Sequence, residues 1–297
     1  MKPLLLLWLG CATLPAYGET LSERYAGSGE LIVTQLTAAP FPHPKRANGY
    51  TNQAKVFPAA EHYSDSTVAI FIPKGFRETG QVDFVVHFHG WRNNVAGVLG
   101  HYKLIEQLVE SGRNALLVVP QGPRDAADSF GGKLEDPDGF KRFMADVVDT
   151  LRQQSALKKK DFAIGQIILS GHSGGFEAMA AILDRGGLTD HVREVWLFDA
   201  LYGRTDKFLA WIDRHLGRFI DLYTEHGGTK TETEKLMAQF KQRGTACFAG
   251  KESDAKPADL QTNKLVFLYS DLPHDDVVHK RQEFREFLKT SCLGKVE

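Results

Sequence analysis

Gln166-Ile167-Ile168-Leu169-Ser170-Gly171-His172-Ser173-Gly174-Gly175-Phe176 is the stretch on which the fold turns. It opens as a short apolar run with the composition of a strand buried on both faces. It then turns within a few residues and enters a helical pattern, Phe176, Met179, Ile182 and Leu183, closed by Gly186-Gly187. A serine at so tight a strand-to-helix turn takes a strained backbone. Side chains two positions to either side would collide with their surroundings, and glycine at 171 and 175 removes them. The Ser173 hydroxyl is then expected to stand clear of a sheet edge, at a helix N-terminus whose dipole favours developing negative charge. Gly-x-Ser-x-Gly is a weak signal by itself. The strand before it and the amphipathic helix after it make it specific, against the plainer reading of a glycine-rich turn with a solvent serine.

Working outward, apolar β-rich runs alternate with helical patterns, and neither a repeat nor a long linker interrupts them. Glu30 to Thr37 and Thr67 to Ile72 are expected to form an antiparallel entry, with a loop over residues 39–60 between them. Residues 84–88, 115–119, 166–170, 194–198, 218–223 and 264–269 read as buried strands. Helical patterns lie around 102–109, 140–151, 176–183, 206–216, 231–240 and 280–288. The alternation predicts an α/β fold, a mostly parallel sheet covered by helices on both faces.

The 297 residues suffice for one large core. A formal net charge of −1 gives no reason to expect nucleic acid or an anionic membrane as partner. Lys2, the apolar run Leu4 to Leu9 and Ala16-Tyr17-Gly18 fit a cleaved leader over residues 1–18, which makes 19–297 the mature domain of a secreted or periplasmic protein. The apolar run is too short to span a bilayer. Lipidation at Cys11 is the less favoured alternative. Cleavage leaves Cys247 and Cys292, and export would allow them to pair as a disulfide tying the C-terminal helix to the segment before the last strand; two separate thiols are the alternative.

The serine turn, its surroundings and Phe88-His89-Gly90-Trp91 resemble the α/β-hydrolase superfamily over about residues 66–290. The resemblance implies a serine hydrolase acting on an ester or amide without metal or cofactor. Ser173 would be the nucleophile, and the amides of Gly174 and Trp91 the oxyanion donors. The superfamily puts its histidine after the last strand. That favours His274, in Ser270-Asp271-Leu272-Pro273-His274, over His279, which is expected on the first turn of the last helix facing solvent. For the acid, Asp199 at the end of Val195-Trp196-Leu197-Phe198 is preferred, and Glu225 after the next strand stays open. His89 is read as orienting the oxyanion loop, and His172 as packing beside the turn.

The long loop over 120–139, with Arg92, Asn93 and Asn94, suggests a polar rim suited to a small-molecule or polymer-linked polar ester or amide. Ordinary solvated loops explain those residues equally well. Two rivals differ in class. A metal hydrolase would use His87 and His89, spaced to share one strand face, with His101 or an aspartate as third ligand. A non-catalytic binding protein on the same fold would be expected to lack a member of the serine, histidine and acid set, and none is lacking here. The Lys158-Lys159-Lys160 run reads as a solvated loop.

Overall fold

A computed structural model describes residues 20–159 and 161–296; the expected leader and Cys11 lie outside the described residues. Among the described residues eleven strands are formed: β1 (Gly29–Gln35), β2 (Tyr50–Asn52), β3 (Lys55–Phe57), β4 (Thr67–Pro73), β5 (Gln81–Phe88), β6 (Leu116–Pro120), β7 (Ala163–His172), β8 (Val192–Phe198), β9 (Arg218–Thr224), β10 (Phe248–Lys251) and β11 (Leu265–Ser270). Nine of them make one sheet in the order β1-β4-β6-β5-β7-β8-β9-β11-β10, and β2 and β3 form a separate hairpin. β4 runs antiparallel to β1 and β6. The remaining pairs of the nine-stranded sheet are parallel. The mostly parallel sheet and its antiparallel entry are as the sequence predicts.

Side chains two apart along a strand share a face, and that period divides the core. Phe84 and Val86 of β5 and Val195 and Leu197 of β8 pack with Phe143, Val147 and Met179 of the helices Gly139–Gln154 and Phe176–Arg185. Val85, Trp196 and Phe198 face the other way, onto Leu104 and Leu108 of Leu104–Ser111 and Phe284 and Phe287 of Glu283–Lys289. Both faces are therefore covered. The helices Val95–His101 and Pro257–Thr262, the β2–β3 hairpin and β10 go beyond what the sequence reading found. β10 is a four-residue edge strand with half its residues exposed, so it lacks the apolar run that marks a buried strand.

Two expectations are corrected. The loop after β6 is not a solvated rim. Ala126, Ala127 and Phe130 pack with Phe41, Phe57 and Tyr63 in a satellite core. Arg46 donates to both oxygens of the buried Asp128 at 2.6 and 3.1 Å, with its guanidinium over Tyr50 and Phe130. The Cys247–Cys292 disulfide is absent, and both thiols are free. Cys247 lies just before β10, whereas the Cys292 amide donates to Glu194 of β8 at 2.6 Å. Three strand spacings separate β8 from β10, about 14 Å at ~4.8 Å each. A disulfide needs Cα atoms within roughly 7 Å.

Asp221 of β9 is fully buried; one carboxylate oxygen meets the Thr233 hydroxyl at 2.6 Å and the other has no partner. Burial pushes its carboxyl up to about 7, the Thr233 bond pulls against that, and the charge of Asp199 adds to it. The native state thus holds a proton that the unfolded chain gives up near about 3.9. Stability from this site is full below that value and is lost as pH rises through about 7. Asp221→Asn should raise Tm relative to wild type at pH 8, with the gain shrinking towards pH 5. A pH-independent difference in thermal scans would contradict this. Alkylation of unfolded, unreduced protein followed by peptide mapping should find Cys247 and Cys292 both modified.

Candidate active site

β5, β7, β8, β9 and β11 are neighbours or near neighbours and run the same way, so their C-terminal ends form one edge. Phe88 pairs with Gly171, His172 with Phe198, Phe198 with Leu222 and Ser270 with Thr224. The segments leaving those strands carry His89-Gly90-Trp91, Ser173, Asp199, the loop after Thr224, and His274.

Ser173 adopts the left-handed region at φ 51°, between β7 and the helix Phe176–Arg185. The turn needs its glycines because of close approach. A Cβ on Gly175 would stand 2.5 Å from the Phe88 carbonyl oxygen, and one on Gly171 would run into the Met179 sulfur. Gly90 is equally constrained, since a Cβ there would lie 2.6 Å from Ser173 Cβ. The loop after β5 thus comes directly against the serine. The Trp91 ring lies across Gly174, its indole N–H donating to Ser129 Oγ at 2.7 Å. His89 ties this loop to the next one: Nδ1–H donates to the Gly90 carbonyl at 2.8 Å, and Nε2 accepts from the Gly122 amide and the Gln121 side chain, each at 2.9 Å. Burial pushes its pKa down, which keeps it a neutral strut.

Asp199 directly follows β8, with φ 46° and no exposed surface. One carboxylate oxygen accepts from the Thr224 amide at 3.1 Å and from the Thr229 hydroxyl. The other accepts from the Thr224 hydroxyl at 2.7 Å and from His274 Nδ1–H at 2.6 Å. Burial alone would raise its pKa, but the bonds from His274, Thr229 and Thr224 together hold it below the usual range. Glu225 is exposed and paired with Lys230 at 2.8 Å, so of the two candidate acids only Asp199 is bonded to His274. His279 precedes the last helix and does not begin it; its ring packs against His101 at 4.6 Å between centroids. His274 lies on a short 3₁₀ turn, His274–Asp276, half-buried.

Ser173 and His274 line one open cleft with Trp91, Arg92, His101 and Tyr202. Tyr202 was not singled out in the sequence. Its hydroxyl donates to the Gly227 carbonyl at 2.5 Å and lies within reach of Ser173, and burial with the Asp199 charge pushes it up to about 12. Thr224 and Thr229 were also missed; a threonine at a strand end carries no signal that it will face a carboxylate from the neighbouring strand.

The proposed metal pair does not share a site. His87 bonds Ser170 Oγ at 2.9 Å and faces Tyr102 and Phe284, while both nitrogens of His89 are engaged by the loops. His172, His274 and Asp275 bring ligand atoms within 4.8 Å of one another. Both nitrogens of His172 are, however, already hydrogen-bonded.

No protein-family model matches the sequence, and no curated protein does. Solved structures resemble it in shape. A ferulic acid esterase is 10% identical with a TM-score of 0.54, over 88% of this chain and 98% of its own. The fluorophosphonate-binding serine hydrolase F of Staphylococcus aureus is 9% identical with a TM-score of 0.51, over 89% and 100%. A feruloyl esterase module from Clostridium thermocellum, in complex with sinapinate, is 11% identical with a TM-score of 0.50, over 89% and 88%. At such identities the likeness concerns architecture, and it agrees with the strand order and the serine turn: the chain has the α/β-hydrolase fold.

Proposed function

We propose that this protein is a serine hydrolase that cleaves a carboxylic ester through an acyl-enzyme, with Ser173, His274 and Asp199 as its catalytic set. The observation that carries the reading is the 2.6 Å bond from His274 Nδ1–H to the buried Asp199, with the free face of the same imidazole in the Ser173 cleft. That bond fixes the tautomer in which Nε2 is an acceptor, the form a general base needs.

The steps follow from the groups. His274 Nε2 takes the Ser173 proton as Oγ bonds to the substrate carbonyl carbon, and the carbonyl electron pair moves onto oxygen. The amides of Gly174 and Trp91 receive that oxyanion; the close packing of Trp91 and Gly90 against the serine turn supports this assignment. Asp199 stabilises the imidazolium. The oxyanion collapses, the bond to the alcohol breaks, and His274 returns its proton to the leaving oxygen. Water then enters, gives a proton to His274 and attacks the acyl carbon; the second oxyanion collapses, the bond from the acyl carbon to Ser173 Oγ breaks, and His274 returns the proton to Oγ, so that ester and water become acid and alcohol. The structural likeness to esterases favours an ester over an amide. Arg92, exposed in the cleft, and the indole of Trp91 suit a polar, small-molecule or polymer-linked substrate. Lys2, the apolar run Leu4 to Leu9 and Ala16-Tyr17-Gly18 support a cleaved leader over residues 1–18, which would place the mature chain in the periplasm or the exterior.

A fluorophosphonate should add to wild type in a one-to-one ratio by intact mass, with the adduct on Ser173 by peptide mapping. Labelling elsewhere, or undiminished hydrolysis of acyl esters by Ser173→Ala, would overturn the assignment. Asp199→Asn should lower kcat by about 10²–10⁴-fold by losing the tautomer control. Glu225→Gln, outside the bonded set, should stay near wild type. The reverse ranking in steady-state kinetics would transfer the role to Glu225.

A further inference from the structure

Taking His274 as the general base, we propose that Tyr102 and His172 form a positioning pair that grips the backbone of His274 and so holds its imidazole at Ser173. The Tyr102 hydroxyl and His172 Nδ1 are 2.9 Å apart, and His172 Nε2 is 2.9 Å from the carbonyl oxygen of His274. Tyr102 and His172 are both buried, and the His172 and His274 rings lie 4.5 Å apart.

The proton positions follow from the partners. A carbonyl oxygen only accepts, so His172 Nε2 must carry hydrogen. Burial, reinforced by the neighbouring His274, pushes the His172 pKa down to about 3, so the ring is neutral and has one proton to give. Nδ1 is then a bare acceptor, and the Tyr102 hydroxyl must donate to it. Burial raises the phenol's pKa and keeps that proton in place. The chain Tyr102 O–H to His172 to His274 C=O therefore has one direction. Without the phenol donor, the His172 proton is free to move to Nδ1, and a lone pair would then face the carbonyl.

His274 needs such a hold because it sits on a 3₁₀ turn outside the sheet ladder. Asp199 fixes one edge of its imidazole; the turn's own bond, from the Asp276 amide to the Pro273 carbonyl at 2.9 Å, spans His274 without using its carbonyl, which His172 takes. A second buried clasp supports the same loop. Gln107 Nε2 donates to the Tyr102 carbonyl at 2.7 Å and to the Val278 carbonyl at 3.2 Å, and Gln107 Oε1 accepts from the Arg285 amide at 2.9 Å. The segment 102–107 thus grips the His274 loop at both ends, once directly and once through His172. Tyr102 and His172 touch no reacting atom in this scheme; they act through the position of His274.

The test uses Tyr102→Phe, His172→Phe, the double variant and His172→Gln, whose amide can accept from Tyr102 and donate to the carbonyl. Two readouts are taken: kcat and KM on an ester that wild type hydrolyses in a Ser173-dependent manner, and the downfield proton resonance of His274 Nδ1–H, assigned by its loss in Asp199→Asn. His172→Phe should lower kcat about 30-fold with KM within about twofold, and should broaden that resonance, because misplacing a catalytic group by a fraction of an ångström removes such factors. Tyr102→Phe should cost about 5-fold, a hydrogen bond's worth. The double variant should be no worse than His172→Phe, and His172→Gln should return to within about 5-fold of wild type. Additive losses, equal damage from Gln and Phe, or an unchanged kcat and resonance in His172→Phe would overturn the pair. Absence of Ser173-dependent turnover in wild type would instead refute the catalytic reading, and the resonance would still decide whether His172 holds His274.

Discussion

A carboxylate with no exposed surface is the constraint on which the rest of this site depends. Burying an ionised Asp199 is costly unless its oxygens are met by donors. Four meet it: the Thr224 amide, the Thr224 and Thr229 hydroxyls, and His274 Nδ1–H. They come from three segments, so the charge binds the ends of β8, β9 and β11 into one polar unit. Parallel pairing makes this possible. Neighbouring parallel strands end on the same edge at intervals of about 4.8 Å, and loops leaving them converge without long excursions.

The opposite wall of the cleft is built by packing. Residues 39–63 do not enter the main sheet except through the pairing of the strands on either side. They fold into a small aromatic core against the loop after β6, and the Arg46–Asp128 pair locks that contact. Ser129, next in sequence to Asp128, then receives the Trp91 indole N–H. His89 couples the same two loops through Gly122 and Gln121. The segment facing Ser173 is thereby held by neutral hydrogen bonds and an inner ion pair, with the Trp91 and Arg92 side chains left exposed in the cleft.

Much of this was legible in the sequence, for identifiable reasons. The strand-turn-helix around Ser173 announces itself because a side chain at 175 would run into the Phe88 backbone and one at 171 into the Met179 side chain. Central strands are legible because both faces are covered and their apolar runs are unbroken. That Asp199 is buried and Glu225 exposed could be read from the apolar residues that follow the first and the polar loop that follows the second. What escaped depends on tertiary geometry. The disulfide was inferred from compartment, and no sequence rule reports that three strand spacings separate the strands beside which its cysteines lie. The loop after β6 looked solvated because its polar residues are conspicuous; that Asp128 is buried against Arg46 depends on a partner 82 positions away. The Thr224 and Thr229 cradle, and the hold of His172 on a carbonyl, likewise appear only when the strands are laid side by side.

Two aspartates, one directly after β8 and one in the adjacent β9, show how finely the fold sets charge. Asp199 and Asp221 are both without exposed surface, and the Asp199 charge pushes Asp221 up. Burial pushes both towards the neutral form. Asp199 gathers four donors and stays an anion; Asp221 has one threonine hydroxyl and an oxygen with no partner, and is driven up to about 7. The number of donors, not the residue type or the depth, decides between them. Keeping Asp221 protonated also matters to its neighbour. A second anion in the next strand would work against Asp199 and draw on the same low-dielectric surroundings that make the His274 bond strong. The pair therefore concentrates negative charge at the strand edge, where Asp199 is bonded to His274, and withholds it from the sheet interior.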